Sequence, residues 1–195
     1  GANPVTVELG SAYSDAGASS VSSRGTSVPV TTSSNVDTTV VGSYAVTYSA
    51  TDLNGNTTTA TRNVNVTDTT APVVTVTGDN PATVEFGGTY TDAGASATDA
   101  SGDVTVVATG VDLVDPDTVG TYEISYTSTD ASGNEGTASR TVIVADTVVP
   151  VFTSSSTFIV DEGATAVGTV TATDLATVTF TISGTDLAIT AAGVL

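Results

Sequence analysis

Apolar and polar residues alternate along short segments of this chain, and the alternation predicts half-buried β-strands. Tyr122, Ile124 and Tyr126 share one face of such a segment, with polar residues between them. Tyr44 and Val46 open an equivalent segment earlier in the chain. This pattern is typical of antiparallel strands with one face against a core and the other in water. Gly, Asn and Asp clusters separate the short Val/Thr runs, so the sequence predicts an all-β fold.

Two blocks of the sequence recur 77 to 78 residues later. NPVTVELGSAYSDAGASS (3–20) returns at 80–97 with 12 of 18 positions identical. The block at 42–72 returns at 120–150 with 15 of 31 positions identical. A unit of this length fits a small β-sandwich and is too long for a helical solenoid repeat.

Composition removes several classes of chemistry. The 195 residues contain no Cys and no His, and the three basic residues are Arg24, Arg62 and Arg140. Disulfides, zinc–thiolate sites, histidine general bases and lysine nucleophiles are therefore excluded. The net charge of −18 repels phosphate backbones, so nucleic-acid binding is not expected. No apolar run approaches the ~20 residues that cross a bilayer, and membrane insertion is not expected either.

The acidic charge itself has two interpretations, solubility or the binding of divalent cations through carboxylate oxygens. An enzyme is not expected. Paired carboxylates alone can hydrolyse glycosides, but the repeats offer neither a cleft nor substrate-binding aromatic residues.

One motif carries a family resemblance. Asp117-x-x-Gly120-x-Tyr122-x-Ile124 resembles strand F of an immunoglobulin-type sandwich, with a Tyr placed for the tyrosine corner. Together with the T-D-x-x-G-N turns and the D-T-x-x-P linkers, it resembles bacterial surface Ig-like repeats, close to the hyalin-repeat type. The resemblance implies tandem Ig-like β-sandwiches arranged end to end as a rod.

The last segment resembles a different family. VDEGATAVGTVTATDLATVTF and the residues after it (160–195) look like the first half of a bacterial cadherin-like domain. The matching elements are Glu162, the Ala-x-Asp element ending at Asp174, and Gly193-Val-Leu195. Leu175 replaces the second acidic residue that usually follows Asp174 in that family.

The repeats predict three domains. Repeat one covers 1–68, repeat two covers 69–146, and a partial cadherin-like segment covers 147–195. Repeat one is expected to lack its first strand, the counterpart of DTTAPVVTVT (68–77). Two explanations remain open: a window onto a longer repeat protein, or a strand supplied by a neighbouring subunit.

The Ig-like topology brings three acidic segments to one end of repeat two. These are the linker TDTTAP, the B–C turn TDASGD (98–103) and the F–G turn TDASGN (129–134). A calcium site at this first junction is therefore expected, since calcium takes ~6–8 oxygen ligands. The predicted ligands are Asp68, Asp99, Asp103, Asp130 and Asn134. The competing interpretation is a plain hairpin turn, in which Asp130 caps its own backbone.

A second, weaker site is implied by the cadherin resemblance at the next junction, from Asp146, Glu162 and Asp174. Little calcium is expected at the tip of repeat one, where Ser22 and Thr26 replace two of the acids.

Two further pairs of residues are predicted to be structural. Asp15 and Asp92 are expected to be turn residues. Arg62 and Arg140 are expected to lay their stems on the core edge and pair with a carboxylate.

These observations predict a non-catalytic structural or adhesive module of an extracellular or cell-surface stalk or filament, stiffened by calcium between its domains. Its partners would be neighbouring domains or subunits of the same protein, and a host or surface receptor. The alternatives are a carbohydrate- or protein-binding accessory module of a secreted protein and a viral fibre domain.

Overall fold

The computed structural model describes residues 1–155, 168–175 and 177–182. They form short strands joined by turns, as the alternating pattern predicts, with one 3-10 turn at Val111–Leu113. In repeat one the strands are β1 (Val5–Glu8), β2 (Ser20–Val21), β3 (Ser27–Val28), β4 (Val30–Ser34), β5 (Gly42–Thr51) and β6 (Thr57–Thr67). In repeat two they are β7 (Val73–Val76), β8 (Ala82–Glu85), β9 (Ala95–Thr98), β10 (Val106–Thr109), β11 (Gly120–Thr129) and β12 (Glu135–Ala145). The last two are β13 (Val151–Phe152) and β14 (Ala172–Thr173).

The chain divides into two compact units. Unit 1 comprises Gly1–Thr77, Ala95–Ala108 and Tyr126–Ala138. Unit 2 comprises Gly78–Gly94, Thr109–Ser125 and the described part of Ser139–Leu195. The domain boundaries expected from the repeats, at 68 and 146, stay a prediction.

Each repeat builds the same four-stranded sheet. The strand order is β1-β6-β5-β4 in repeat one and β10-β11-β12-β8 in repeat two. The first strand runs parallel to the last in both, with Val5 opposite Val64 and Ala82 opposite Val142. The long hairpin of β5 and β6 is antiparallel over its whole length. The repeated sequence blocks therefore encode the same sheet twice.

The predicted alternation matches the buried face of these strands. Val46 and Val64 are fully buried and pack with Tyr48 in the core of repeat one. Ile124 and Tyr126 are fully buried at the corresponding positions of repeat two. The residues between them on β11 face water, which explains the period of two.

The tyrosine corner forms in both repeats. The Tyr122 hydroxyl donates to the carbonyl oxygen of Thr118 at 2.8 Å and to that of Asp115 at 3.1 Å. The Tyr44 hydroxyl donates to the carbonyl oxygen of Val40 at 2.8 Å. The strand-F interpretation of the motif is confirmed by this geometry.

One arginine of each repeat is buried beside a carboxylate. Arg62 pairs with Asp15, and Arg140 pairs with Asp92 at 3.1 Å. Tyr48 donates to Asp15 at 2.7 Å, and this bond lowers the pKa of Asp15. The pairing is confirmed, but the expected position at the core edge is wrong for Arg140, because only 2% of that residue is exposed. The structural role of the two aspartates follows from the same contacts.

Candidate metal site

The T-D-x-x-G-N turns of both repeats are capped by their own aspartate. Asp130 accepts backbone hydrogen bonds from Ser132 at 2.8 Å and from Asn134 at 2.9 Å. Asp52 makes the same pair of bonds in repeat one, both at 2.9 Å. Gly133 takes a φ of 90°, which favours glycine. Turn capping therefore accounts for the motif in both repeats, whatever further role the second copy has.

Two side chains of this turn contact the linker. The Asn134 amide nitrogen donates to the carbonyl oxygen of Asp68 at 3.2 Å and to the Asp130 carboxylate at 2.8 Å. The Ser132 hydroxyl lies 3.4 Å from the Asp68 carboxylate. In the corresponding turn of repeat one, Asn54 replaces Ser132, whereas the equivalent of Asn134 is also an asparagine, Asn56. Asn134 thus ties the linker to the turn.

The third acid, Asp99, directly follows β9, the strand that pairs with β7 just after the linker. β7 runs antiparallel to β9, with Val73 opposite Thr98. Asp99 follows directly, and its carboxylate accepts the backbone N–H of Ser101 at 2.8 Å. Strand pairing therefore fixes how far Asp99 lies from Asp68, which precedes Val73 by five residues.

Asp68, Asp99 and Asp130 converge within unit 1. Each offers a carboxylate oxygen, and these oxygens all lie within 4.8 Å of one another. Asp68 and Asp130 are each only 7% exposed, and Asp99 is half-buried. The linker and two turns, 62 residues apart in sequence from Asp68 to Asp130, thereby meet at a single point.

A glutamate of repeat one orients the linker beside this cluster. Glu8 accepts backbone hydrogen bonds from Thr69 at 2.8 Å and from Thr70 at 3.1 Å, and bonds from both threonine hydroxyls at 2.8 Å. These bonds, led by the Thr69 backbone, hold the pKa of Glu8 below its usual range. Sequence reasoning missed this contact, although Glu8 and Glu85 occupy the same position in the two repeats. Glu85 repeats it in unit 2 by accepting the Thr147 N–H at 2.8 Å.

The electrostatics separate the two buried acids. Burial raises the pKa of Asp68, and the negative charges of Asp130 and Asp99 raise it further. Desolvation acts in the same direction on Asp130. Hydrogen bonds from Asn134, Ser132 and the rest of its turn outweigh that effect and lower the pKa of Asp130. The hydrogen bonds of its own turn therefore keep Asp130 ionised. Burial and the repulsion among the three carboxylates instead raise the pKa of Asp68.

The cluster fits a hard divalent cation. Calcium bonds to oxygen at ~2.3–2.6 Å, so two ligands of one ion can lie up to about 5 Å apart. The three carboxylates meet this limit as they stand. The chain has no Lys, and Arg62 and Arg140 are committed to Asp15 and Asp92. The donor set of three carboxylates is the type that calcium prefers.

The other predicted ligands have different positions. Asp103 is exposed and is not a member of the three-carboxylate cluster. Asn134 lies at the site, but its amide nitrogen is donated to Asp68 and Asp130. Asp146 and Asp174 of the second junction are half-buried, and the described residues show no three-acid cluster there. Glu162 lies outside the described residues.

Even so, the second junction repeats the local geometry of the first. In unit 2, β13 pairs with β14 so that Val151 lies opposite Thr173, and Asp174 follows directly. The register is the same as that of Val73 and Thr98 in unit 1. Asp174 therefore stands at the position of Asp99.

The same four-stranded sheet occurs in both repeats, and each repeat has a tyrosine corner and an aspartate-capped turn. These features are those of tandem Ig-like repeats. Residues 1–66 and 74–144 both match the family described as bacterial surface protein, Ig-like domain. The chain belongs to this family. In the part that the structure describes, no helix is long and apolar enough to cross a membrane.

Solved structures that match the chain at low identity include two protocadherins and one bacterial module. The protocadherin gammaB7 EC3-6 cis-dimer structure has 16% identity and a TM-score of 0.40, over 99% of this chain and 63% of that chain. The protocadherin gamma B2 extracellular cadherin domains 3-6 have 18% identity and a TM-score of 0.39, over 80% and 44%. The fibronectin(III)-like modules of Clostridium thermocellum CbhA have 18% identity and a TM-score of 0.32, over 74% and 90%. A search of curated proteins gave no match.

Proposed function

We propose that this chain is a non-catalytic structural or adhesive module of an extracellular, surface-attached stalk, with a calcium-binding joint between its first two repeats. The observation that carries the proposal is the convergence of Asp68, Asp99 and Asp130. Membership in a family of bacterial surface Ig-like domains supports the extracellular location. The domains proposed are 1–68, 69–146 and 147–195.

The joint works through the segments that carry the acids. Asp68 lies on the linker that leaves repeat one, whereas Asp99 and Asp130 lie on turns of repeat two. Bound between the three carboxylates, calcium would neutralise their repulsion and bond the linker to both turns. Glu8 already holds the linker at Thr69 and Thr70, so little free chain remains between the two repeats. Loss of hinge freedom stiffens the stalk.

The second junction is proposed to follow the same plan more weakly. Asp146 and Asp174 correspond to Asp68 and Asp99 by strand register, and Glu162 completes the set proposed there. Leu175 follows Asp174, so the second acid usual in cadherin-like domains is missing. The partners proposed for the module are neighbouring domains or subunits of the same protein.

Calcium titration of the full chain tests the first joint. Thermal unfolding is followed in chelator and in increasing calcium, with magnesium as the control for a nonspecific effect of ionic strength. A metal that binds only the folded state stabilises it by ~2.7 kcal/mol at a hundredfold excess over Kd. We expect the melting temperature (Tm) to rise with calcium in a saturable way.

Matched variants locate the effect. Asp99→Asn removes a cluster carboxylate, whereas Asp103→Asn removes an exposed one from the same turn. The calcium-induced rise in Tm is expected to shrink strongly in the first variant and to persist in the second. Equal loss in both variants, or no rise at millimolar calcium, would return the turn to a capping role alone.

Stiffening is measured separately. Spin labels placed on exposed Val21 and Val107 report the distance distribution between the repeats. The distribution should narrow on calcium addition in the wild-type chain and stay broad in Asp99→Asn. A calcium-dependent Tm without narrowing would separate metal binding from the mechanical role and contradict the latter.

A further inference from the structure

The first and last strands of each four-stranded sheet are neighbours and run in the same direction. In repeat one, β1 pairs with β6 from Val5 opposite Val64 to Glu8 opposite Thr67. In repeat two, β8 pairs with β12 in the same parallel manner. The start of the first strand and the end of the last strand therefore lie at opposite ends of one ladder of hydrogen bonds.

This geometry decides how a pull along the chain loads the hydrogen bonds. A pull on the start of β1 and the end of β6 slides the two strands past each other, so the bonds of the ladder carry the load together, in shear. In a hairpin such as β5 and β6, the chain enters and leaves at the same end, and a pull there breaks the bonds one at a time. The parallel ladder therefore withstands the larger force.

An asparagine lengthens each ladder at the end where the first strand begins. The Asn80 side chain accepts the backbone N–H of Thr141 at 3.0 Å and donates to the carbonyl oxygen of Ser139 at 2.8 Å. Asn3 makes the same pair of bonds to the backbone of β6 in repeat one. Both bonds link segments about to be pulled apart, so they add to the load that the ladder can carry.

A glutamate lengthens each ladder at the end where the last strand finishes. Glu85 accepts the backbone N–H of Thr147 at 2.8 Å and that of Val148 at 3.3 Å, and both residues lie beyond β12. Glu8 holds the linker after β6 in the same way. Hydrogen bonds to a carboxylate are stronger than those between neutral groups. The segment that leaves each repeat is thus bonded to the strand that begins its sheet.

Buried side chains shield both ladders from water on one face. Val64 and Val66 on β6, and Val142 and Val144 on β12, are at most 1% exposed. Backbone hydrogen bonds are stronger where water is excluded, because no water molecule competes for the donor or the acceptor.

We propose that the parallel pairs β1–β6 and β8–β12, with the asparagine and glutamate side chains at their ends, are load-bearing elements that keep the two repeats folded when the chain is pulled. The proposal rests on the proposed stalk function only for the source of the tension. The resistance itself belongs to each repeat and needs no calcium. In repeat two, β7 precedes this element and pairs with β9, so a pull that detaches β7 passes the load to β8.

Single-molecule pulling on the full chain, in chelator, tests the proposal. The sequence has no Cys, so an introduced pair gives two defined attachment points. Asp79→Cys with Val149→Cys loads β8 and β12 in shear, whereas Asp79→Cys with Ser139→Cys pulls both strands from the same end. All three positions are exposed. We expect the first pair to require a severalfold larger unfolding force than the second, and equal forces would overturn the proposal.

Substitutions separate load bearing from ordinary stability. Glu85→Ala should speed unfolding about tenfold at constant force through the shear pair, since forced unfolding follows the unfolding rate. The force needed to pull both strands from the same end should change little. Ile124→Val, buried on β11 outside the ladder, is the matched control, because it lowers Tm but removes no bond of the ladder. Equal effects of the two substitutions on the shear force, at equal loss of Tm, would overturn the load-bearing role.

This experiment and the calcium titration fail independently. A chain whose Tm does not respond to calcium can still resist shear in chelator. Equal unfolding forces in the two pulling geometries would leave the calcium joint untouched.

Discussion

The side-chain amide of Asn134 donates a hydrogen bond to the backbone carbonyl oxygen of Asp68, 66 residues earlier, at 3.2 Å. The bond joins the linker to the turn between β11 and β12. It leaves the Asp68 carboxylate facing the carboxylates of Asp99 and Asp130. A turn that is locally ordinary therefore gains a long-range role from one amide.

Asp68→Asn is expected to have opposite effects with and without calcium. In chelator the substitution removes a carboxylate whose pKa is raised by burial and by Asp130 and Asp99, so Tm should rise. An amide oxygen can still accept the Thr70 N–H. In saturating calcium the metal-induced rise in Tm should fall to near zero. A lower Tm in chelator would show that the hydrogen bonds of the carboxylate outweigh its repulsion.

The pH dependence of stability follows from the same group. Burial raises the pKa of Asp68, so the folded chain holds the Asp68 proton to a higher pH than the unfolded chain does. Protonation of Asp68 therefore stabilises the fold, and this stabilisation is lost as the pH rises through the raised pKa. In chelator, we expect the free energy of unfolding of the wild-type chain to fall, as the pH rises from about 3.8 through the raised pKa of Asp68, relative to that of Asp68→Asn. The variant lacks this contribution because it has no carboxyl group at this position. Calcium affinity should fall over the same window as the pH is lowered.

Glu8 is expected to act in the opposite direction. Hydrogen bonds from Thr69 and Thr70 lower its pKa below 4.5 in the folded chain. Its contribution is present above the unfolded value and is lost as the pH falls through the folded one. Glu8→Gln should lower Tm by roughly 3–6 °C at neutral pH and reduce the loss of stability on acidification. Glu123→Gln, on the wet face of β11, serves as the matched control and should change neither quantity.

Arg140→Met is expected to be among the most destabilising single changes. The substitution leaves Asp92, whose side chain is 10% exposed, without its cation. Breaking one partner of a buried pair costs roughly 3–5 kcal/mol. Urea unfolding measures the loss, and Arg24→Met, at an exposed position, should stay within about 0.5 kcal/mol of wild type. A small effect at Arg140 would mean that water reaches Asp92.

Ser128→Ala is expected to be neutral or stabilising by up to about 1 kcal/mol. Within the described residues, the Ser128 hydroxyl is buried and has no hydrogen-bond partner. Repeat one has Ala50 at this position, also buried. Ser125→Ala, on the exposed face of β11, is the control and should have little effect. Clear destabilisation by Ser128→Ala in urea unfolding would reveal a partner for the hydroxyl.

The sequence by itself determined the class of fold and the positions of its repeated motifs. Alternation at Tyr122, Ile124 and Tyr126 identifies one buried face, because side chains of a strand point to opposite sides. The tyrosine corner and the hairpin turns depend on residues a few positions apart, so local spacing was enough to predict them. The repeated blocks then extended each prediction to both repeats.

The tertiary structure alone decided which acids meet. Asp99 and Asp103 are aspartates of the same turn, and the sequence does not distinguish them as ligands. The pairing of β7 with β9 brings Asp99 to the linker and leaves Asp103 in water. The contacts of Glu8 with Thr69 and Thr70, and the burial of Arg140, are likewise long-range. Distances of a few ångströms between segments some 60 residues apart depend on strand register and turn geometry. Local pattern carries neither, so only the folded chain could show that Asp68, Asp99 and Asp130 form one cluster.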